Sequence, residues 1–164
     1  ISIRLVGSEM CIRDRGNTLV LFNYIEKHGT PLYDLINNNI DDARKVFFVH
    51  GGTEVEDREE VRKITETESN AVIVASYGTF STGINIKRLH NIIFASPSKS
   101  RIRNLQSIGR VLRKGEGKDM AILYDIADDI GGQNYTLKHL NERVNIYNDE
   151  NFRYEVIKVN LRAN

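Results

Sequence analysis

The chain has 164 residues, the size of one ordinary domain. Apolar residues make up 40% and charged residues 27%, close to the globular average, which excludes a disordered tail, a fibrous repeat and a disulfide scaffold. The formal net charge is +1, and the single cysteine, Cys11, excludes an internal disulfide and a cysteine-based metal site. No apolar run approaches the roughly 18 residues of a membrane span and no signal-peptide pattern opens the chain, so we expect a cytoplasmic protein without a membrane partner.

The first 15 residues require separate treatment. The chain starts at Ile1 without a methionine, and the run from Leu5 to Arg15 resembles translated sequencing-adapter read-through. We expect residues 1–15 to be a non-native leader or, alternatively, a linker from an upstream domain; both interpretations leave them out of the reasoning about the fold, and we expect them to contribute no buried core. The domain is assigned to residues 16–164.

From Asn17 onward, short apolar runs alternate with amphipathic stretches, the pattern of strands joined by helices in a buried parallel sheet. Thr53 and Glu56 have the spacing of a capping box at the start of the second helix. The pattern predicts a three-layer α/β sandwich with a mainly parallel central sheet. In chain order, strands are predicted at 18–22, 46–49, 71–75, 91–94 and 120–124, helices from about residue 30 and at 54–67, 101–113 and 135–147, and a last edge strand at 154–161.

Positive charge is concentrated in the segment 87–118. It contains nine basic residues and one acidic residue, a net charge of +8, which leaves −7 for the remainder of the chain. A basic segment of this kind is typical of proteins that face a polyanion, such as nucleotide phosphate or a nucleic-acid backbone. The alternative is a solvated basic face without a ligand.

Within this segment, Gln106, Arg110 and Arg113 fall on one stripe of the predicted helix 101–113, at positions i, i+4 and i+7. Gly109 lies between this stripe and a second stripe of the same predicted helix, which is apolar. A glycine inside a helix lowers the stability of the helix by about 1 kcal/mol relative to alanine. It therefore indicates that something approaches the helix closely. Two guanidinium groups beside such an opening suit the oxygens of a phosphoryl group in transfer, and the alternative is a surface helix with two salt-bridged arginines.

The order Gln-x-x-Gly-Arg-x-x-Arg from Gln106 to Arg113 resembles motif VI of superfamily 2 helicases and translocases. Upstream, Ser81 to Asn85 resembles motif V, while Leu19 to Asn23 and His50 to Thr53 resemble motifs IV and IVa. The sequence is most similar to the phage UvsW-type recombination and branch-migration DNA helicases, on the segments Ala75 to Asn85, Lys99 to Arg103 and Gln106 to Arg110. The resemblance covers about residues 17–161, and it implies a RecA-like fold and, for a phage-encoded protein, the cytoplasm of the host cell.

The resemblance also implies roles for residues. Arg110 and Arg113 would be catalytic arginine fingers on the ATP γ-phosphate. Residues that bind ATP or couple its hydrolysis to domain closure would be Gly83, Asn85, Gln106 and Gly109, although Asn85 stands where many relatives carry aspartate.

No Walker A loop and no Asp-Glu-x-Asp/His box occur in the sequence. By resemblance, the chain would therefore be the second RecA-like domain of a two-domain motor. ATP with Mg²⁺ would be bound mainly by the N-terminal RecA-like domain of the same protein, and the isolated chain would not hydrolyse ATP.

Nucleic acid is the other expected partner, with branched or forked DNA favoured and RNA left open. Most of the candidate contacts follow apolar strands, where ligands gather in open α/β sheets, and the basic ones precede the motif that starts at Gln106. Each candidate also has a purely structural explanation: it could form a strand-to-helix turn, satisfy nearby backbone groups or belong to a solvated basic face. The candidates are Asn23, His50, Gly51, Ser76, Thr79, Ser81, Lys99, Arg101 and Arg103, whereas Asp125, Asp128 and Asp129 are expected to cap helices or pair with arginines.

Two other functions are compatible with parts of this pattern. A non-catalytic nucleic-acid-binding module would use the same basic segment, but simple backbone binding does not require Gln106, Arg110 and Arg113 in register. A motor of the restriction-enzyme or remodelling type would share the same motifs.

Overall fold

The computed structural model describes residues 2–5, 16–41, 43–81, 86, 88–96, 121–129 and 135–158. Its strands are β1 (Ser2–Leu5), β2 (Asn17–Phe22), β3 (Val46–Val49), β4 (Val72–Ser76), β5 (Leu89–Phe94), β6 (Ile122–Asp125) and β7 (Arg153–Val156). Its helices are α1 (Thr30–Asn39), α2 (Val55–Thr67), the short α3 (Tyr77–Ser81) and α4 (Tyr135–Asp149), and a π-helical turn (Ile25–Gly29) precedes α1. None of these described helices is long and apolar enough to cross a membrane.

The described strands form one parallel sheet in the order β3-β4-β2-β5-β6-β1-β7. This confirms the predicted α/β class, and β2 to β6 lie within about two residues of the predicted strands. The predicted helix 101–113 lies outside the described residues.

Alternate residues of the central strands face opposite sides of the sheet. Leu19 and Leu21 of β2 belong to one buried cluster, to which α4 contributes Tyr147. Val20 and Phe22 belong to a second cluster, which includes residues of α1. Burial on both faces explains why these strands read as unbroken apolar runs, and it confirms the three layers of helix, sheet and helix.

The N-terminal segment differs from its prediction. The backbone of Ser2–Leu5 forms β1, which pairs in parallel with β6 on one side and with β7 on the other. Because a ladder uses backbone groups, any extended segment can satisfy the free edge of β6, and Ile3 and Leu5 alternate with polar residues as strands do. Sequence reasoning left residues 1–15 out of the fold, whereas the backbone of Ser2–Leu5 pairs within the sheet. The non-native origin of residues 1–15 and the domain boundary at residue 16 stay predictions.

The capping box at the start of α2 was also predicted wrongly. Glu54, in extended conformation, occupies the N-cap position and makes no side-chain cap hydrogen bond. Thr53 instead turns back towards the preceding strand, where its Oγ1 accepts the backbone N–H of His50 at 3.0 Å. The competing local bond to the turn explains the difference.

Gly29 sets how closely the π-helical turn approaches the sheet. A Cβ atom at this position would lie 2.5 Å from two ring carbons of Phe22, a fully buried residue of β2. The absence of a side chain therefore lets the turn pack directly on the aromatic ring.

Gly29→Ala is expected to lower the free energy of unfolding by about 1–3 kcal/mol, because the added methyl group overpacks the Phe22 ring. Urea denaturation followed by circular dichroism measures the change. Gly51→Ala is the matched control, since a Cβ atom at Gly51 would meet no atom within 4 Å. Equal stability of the two variants would contradict the close contact.

Candidate nucleic-acid interface

Polar side chains from four neighbouring strands meet at the carboxyl edge of the sheet. Register pairs Val49 with Ala75 and Phe22 with Ser76, which brings His50, the residue after β3, close to Ser76. Leu21 pairs with Phe94, so the residues two positions further along, Asn23 and Ser96, also come together. We call His50, Ser76, Asn23 and Ser96 the polar row, in the order in which their strands lie in the sheet.

Asn23 and Ser96 are held together by two hydrogen bonds. The backbone N–H of Asn23 donates to Ser96 Oγ at 3.0 Å, and the Asn23 side-chain Nδ2 donates to the carbonyl oxygen of Ser96. The amide orientation this fixes leaves Asn23 Oδ1 as an acceptor, while Ser96 Oγ, used here as an acceptor, retains its own proton for donation. Ser96 was not among the predicted contacts, although its place two residues after an apolar strand is the signal that could have identified it.

A tight turn begins at His50 and determines the tautomer of its imidazole ring. The backbone N–H of Gly52 donates to His50 Nδ1 at 3.1 Å, so in the neutral ring the proton resides on Nε2. Thr53 N–H donates to the His50 carbonyl oxygen at 3.0 Å and closes the turn. The half-buried imidazole therefore presents an N–H donor, and Gly51 beside it is exposed with open space around its Cα.

Ser76 and Thr79 are paired with each other. Their hydroxyl oxygens are 2.7 Å apart, and the Thr79 backbone N–H donates to Ser76 Oγ at 3.4 Å, so Ser76 caps the start of α3. Thr79 is buried, whereas Ser76 is only partly buried. Of the two, Ser76 is the residue with a surface that a ligand can reach, and Thr79 acts on it by fixing its hydroxyl.

The structure brings five of the predicted nucleic-acid contacts, Asn23, His50, Gly51, Ser76 and Thr79, to this one edge. The side chain of Ser81, at the end of α3, is not described. The remaining predicted residues, Gly83, Asn85, Lys99, Arg101, Arg103, Gln106, Gly109, Arg110 and Arg113, lie outside the described residues, so their roles stay predictions.

Asp125, at the end of β6, does not belong to the polar row because it is fully buried in an ion pair. Its two carboxylate oxygens accept hydrogen bonds from Arg143 Nε at 2.6 Å and Nη2 at 2.8 Å, and Tyr147 OH donates to the same carboxylate at 2.6 Å. This confirms the prediction that Asp125 pairs with an arginine. Asp129 lies near Lys158, with 3.7 Å between the charged atoms.

The pKa values of this buried cluster show how tightly its protons are held. Burial acts to lower the pKa of Arg143, but the hydrogen bond and the charge of Asp125 outweigh it and raise that pKa above its ordinary value. Burial, reinforced by the charge of Asp125, raises the pKa of Tyr147 well above its ordinary value. Both groups therefore keep their protons at neutral pH, and the cluster is a fixed support between β6 and α4.

The polar row offers hydrogen bonds without formal charge: an imidazole N–H, two hydroxyls and an amide. Side chains of these types commonly make hydrogen bonds to phosphate oxygens in complexes with nucleic acid. Among the residues that the structure describes, no group of three or more His, Cys, Asp or Glu side chains is placed to hold a metal ion.

A parallel α/β sheet with ligand-facing loops at its carboxyl edge is the architecture of RecA-like motor domains. Residues 2–115 match the family described as the helicase conserved C-terminal domain. The chain belongs to this family.

The chain is similar to the ATP-dependent DNA helicase uvsW of Enterobacteria phage T4, with 40% identity over 158 residues that cover 88% of this chain and 31% of the relative. A protein of Acanthamoeba polyphaga mimivirus whose name is that of an ATP-dependent RNA helicase is 30% identical over 117 residues, which cover 70% of this chain and 20% of that protein. The chain thus spans less than a third of these two relatives.

Solved structures agree with this assignment. The crystal structure of T4 UvsW superposes with a TM-score of 0.72 and 37% identity, covering 92% of this chain and 32% of that chain. The C-terminal domain of the DEAD-box protein Dbp5 superposes with a TM-score of 0.63 over 95% of this chain and 88% of that domain, and at 13% identity it shows the fold alone.

Proposed function

We propose that this chain is the second RecA-like domain of an ATP-dependent DNA helicase or translocase that unwinds DNA, migrates branches or regresses forks. Its likeness to the T4 DNA helicase supports the activity and the DNA substrate. The polar row is the structural observation that carries the proposal, because polar groups able to hydrogen-bond to phosphate oxygens come from four neighbouring strands along one edge.

In this proposal the polar row is the described part of a nucleic-acid track. His50 donates from Nε2, Ser96 donates through its hydroxyl, and Ser76 contributes a hydroxyl that Thr79 holds in place. The exposed backbone at Gly51 allows a sugar-phosphate chain to approach without meeting a side chain. Further contacts in this proposal are Ser81, Lys99, Arg101 and Arg103, and the last three supply the charge that the polar row lacks. Contacts to phosphates rather than to bases suit a motor, which must move along any sequence.

The ATP site lies between this domain and an N-terminal RecA-like domain of the same protein. That domain binds most of the nucleotide and its Mg²⁺, and this chain contributes Arg110 and Arg113 to the γ-phosphate. The proposed roles of binding ATP or coupling its hydrolysis to domain closure belong to Gly83, Asn85, Gln106 and Gly109. The isolated chain is accordingly inactive as an ATPase.

His50→Ala tests the track. The chain should bind a single-stranded oligonucleotide, and the variant should bind it about tenfold more weakly or worse, because a hydrogen bond to a charged phosphate is lost. Fluorescence anisotropy at several salt concentrations measures the affinity. The slope of affinity against salt should stay unchanged, since a neutral donor releases no counterions.

His139→Ala is the matched control, because His139 lies in α4, outside the polar row. It should bind like the unmodified chain. Unchanged binding by both His50→Ala and Ser76→Ala would contradict the track.

A further inference from the structure

Tyr24 places an aromatic side chain next to the polar row. It directly follows Asn23, just beyond the end of β2, and the residue is 64% exposed. Ile25, the next residue, is also exposed. Single apolar side chains on a surface are common and assign nothing by themselves. The place of Tyr24, one residue from a candidate phosphate contact, is what distinguishes it.

The backbone fixes the position of Tyr24. Its carbonyl oxygen accepts the backbone N–H groups of His28 at 2.9 Å and of Gly29 at 3.0 Å, which closes the π-helical turn. The turn in turn packs on the Phe22 ring at Gly29. Tyr24 is therefore anchored to β2 on both sides, by the strand before it and by the packed turn after it.

A second ring supports the tyrosine side chain. The rings of Tyr24 and His28 meet edge to face, with centroids 5.3 Å apart and an angle of 72° between their planes. This arrangement restrains the tyrosine ring through one contact while most of its surface stays in solvent. A ring that is already held in place loses little conformational entropy when it binds a flat partner.

We propose that Tyr24 stacks on an unpaired base of nucleic acid whose phosphates follow the polar row, an inference that rests on the proposed function. A base is attached to each phosphate through its sugar, so a strand held at Asn23 brings a base within reach of the next residue. In a duplex, neighbouring bases cover each other's faces. The occupant is therefore single-stranded, and stacking accepts any base because every base has a π face.

The test uses the full chain and two probes of equal length, single-stranded oligothymidylate and an abasic oligonucleotide. Tyr24→Ala is expected to weaken oligothymidylate binding by about 5- to 150-fold, the range for loss of one stacked base. Binding of the abasic probe should not change. Tyr24→Phe keeps the aromatic face and should bind oligothymidylate like the unmodified chain.

Leu35→Ala is the matched control, because Leu35 is 59% exposed but lies in α1, which runs away from the carboxyl edge. Weakening of oligothymidylate binding by His50→Ala, with no effect of Tyr24→Ala, would overturn stacking and leave the track intact. An unmodified chain that binds neither probe at low salt would overturn both proposals. Equal weakening of both probes by Tyr24→Ala would also reject stacking, since the abasic probe has no base to lose.

Discussion

Arg113→Ala, in a protein that carries both RecA-like domains, is expected to reduce DNA-stimulated ATP turnover by at least about 10³. Its affinity for DNA should remain almost unchanged, because the proposed contact is made mainly as charge develops on the transferring phosphoryl group. Arg113→Lys should not restore turnover, since an ammonium group cannot reproduce the planar fork of a guanidinium. Steady-state phosphate release at saturating DNA measures the effect.

The basic residues before Gln106 provide the contrasting control. Arg101→Ala combined with Arg103→Ala should weaken DNA binding and lower the salt slope by about one to two units, with turnover recovering at saturating DNA. Arg113→Ala would then lose ATP turnover, whereas the double variant would lose affinity for DNA. If Arg113→Ala instead weakened DNA binding and left ATP turnover unchanged, the segment 87–118 would be a DNA-binding surface. A non-catalytic binding module would then be the better description of the chain.

Asp125→Asn is expected to lower the free energy of unfolding by about 3–5 kcal/mol, because it leaves the buried guanidinium of Arg143 without its carboxylate. This is a large fraction of the stability of an ordinary domain, which is about 5–15 kcal/mol. Urea denaturation followed by circular dichroism measures the loss.

Two further variants separate charge burial from general damage. Replacing Asp125 with leucine and Arg143 with methionine together should recover part of the loss, because neither charge then remains buried. Lys45→Ala breaks the exposed ion pair with Glu68 and should cost no more than about 1 kcal/mol. A loss for Asp125→Asn as small as that for Lys45→Ala would show that the buried pair is not a support of the fold.

The apolar runs allowed β2 to β6 to be predicted closely, because each run is long enough to bury itself and is bounded by turn residues. The same information placed His50, Ser76 and Asn23 at strand ends. It failed where a local pattern had two physical outcomes. Thr53 has the spacing of a cap for α2, but its hydroxyl binds the preceding turn instead, and the sequence does not rank these two bonds.

Contacts between distant segments were beyond such patterns. Ser96 lies 73 residues from Asn23 and becomes its partner only because β5 lies next to β2 in the sheet. Gly29 reads as an ordinary turn glycine until the ring of Phe22 occupies the space of its missing side chain. Tyr24 reads as one exposed tyrosine among several until that packed turn fixes it beside the polar row.

The sequence by itself determined the α/β class, the strand-and-helix order from residue 17 onward, and the motif residues, because these depend on local periodicity and on residue type. Only the tertiary structure decided which strand ends form the polar row, that β1 enters between β6 and β7, and that Asp125 is neutralised by Arg143 on α4. The reason is that strand neighbours in a crossover sheet are chosen by the packing of the whole chain, and no local segment carries that information.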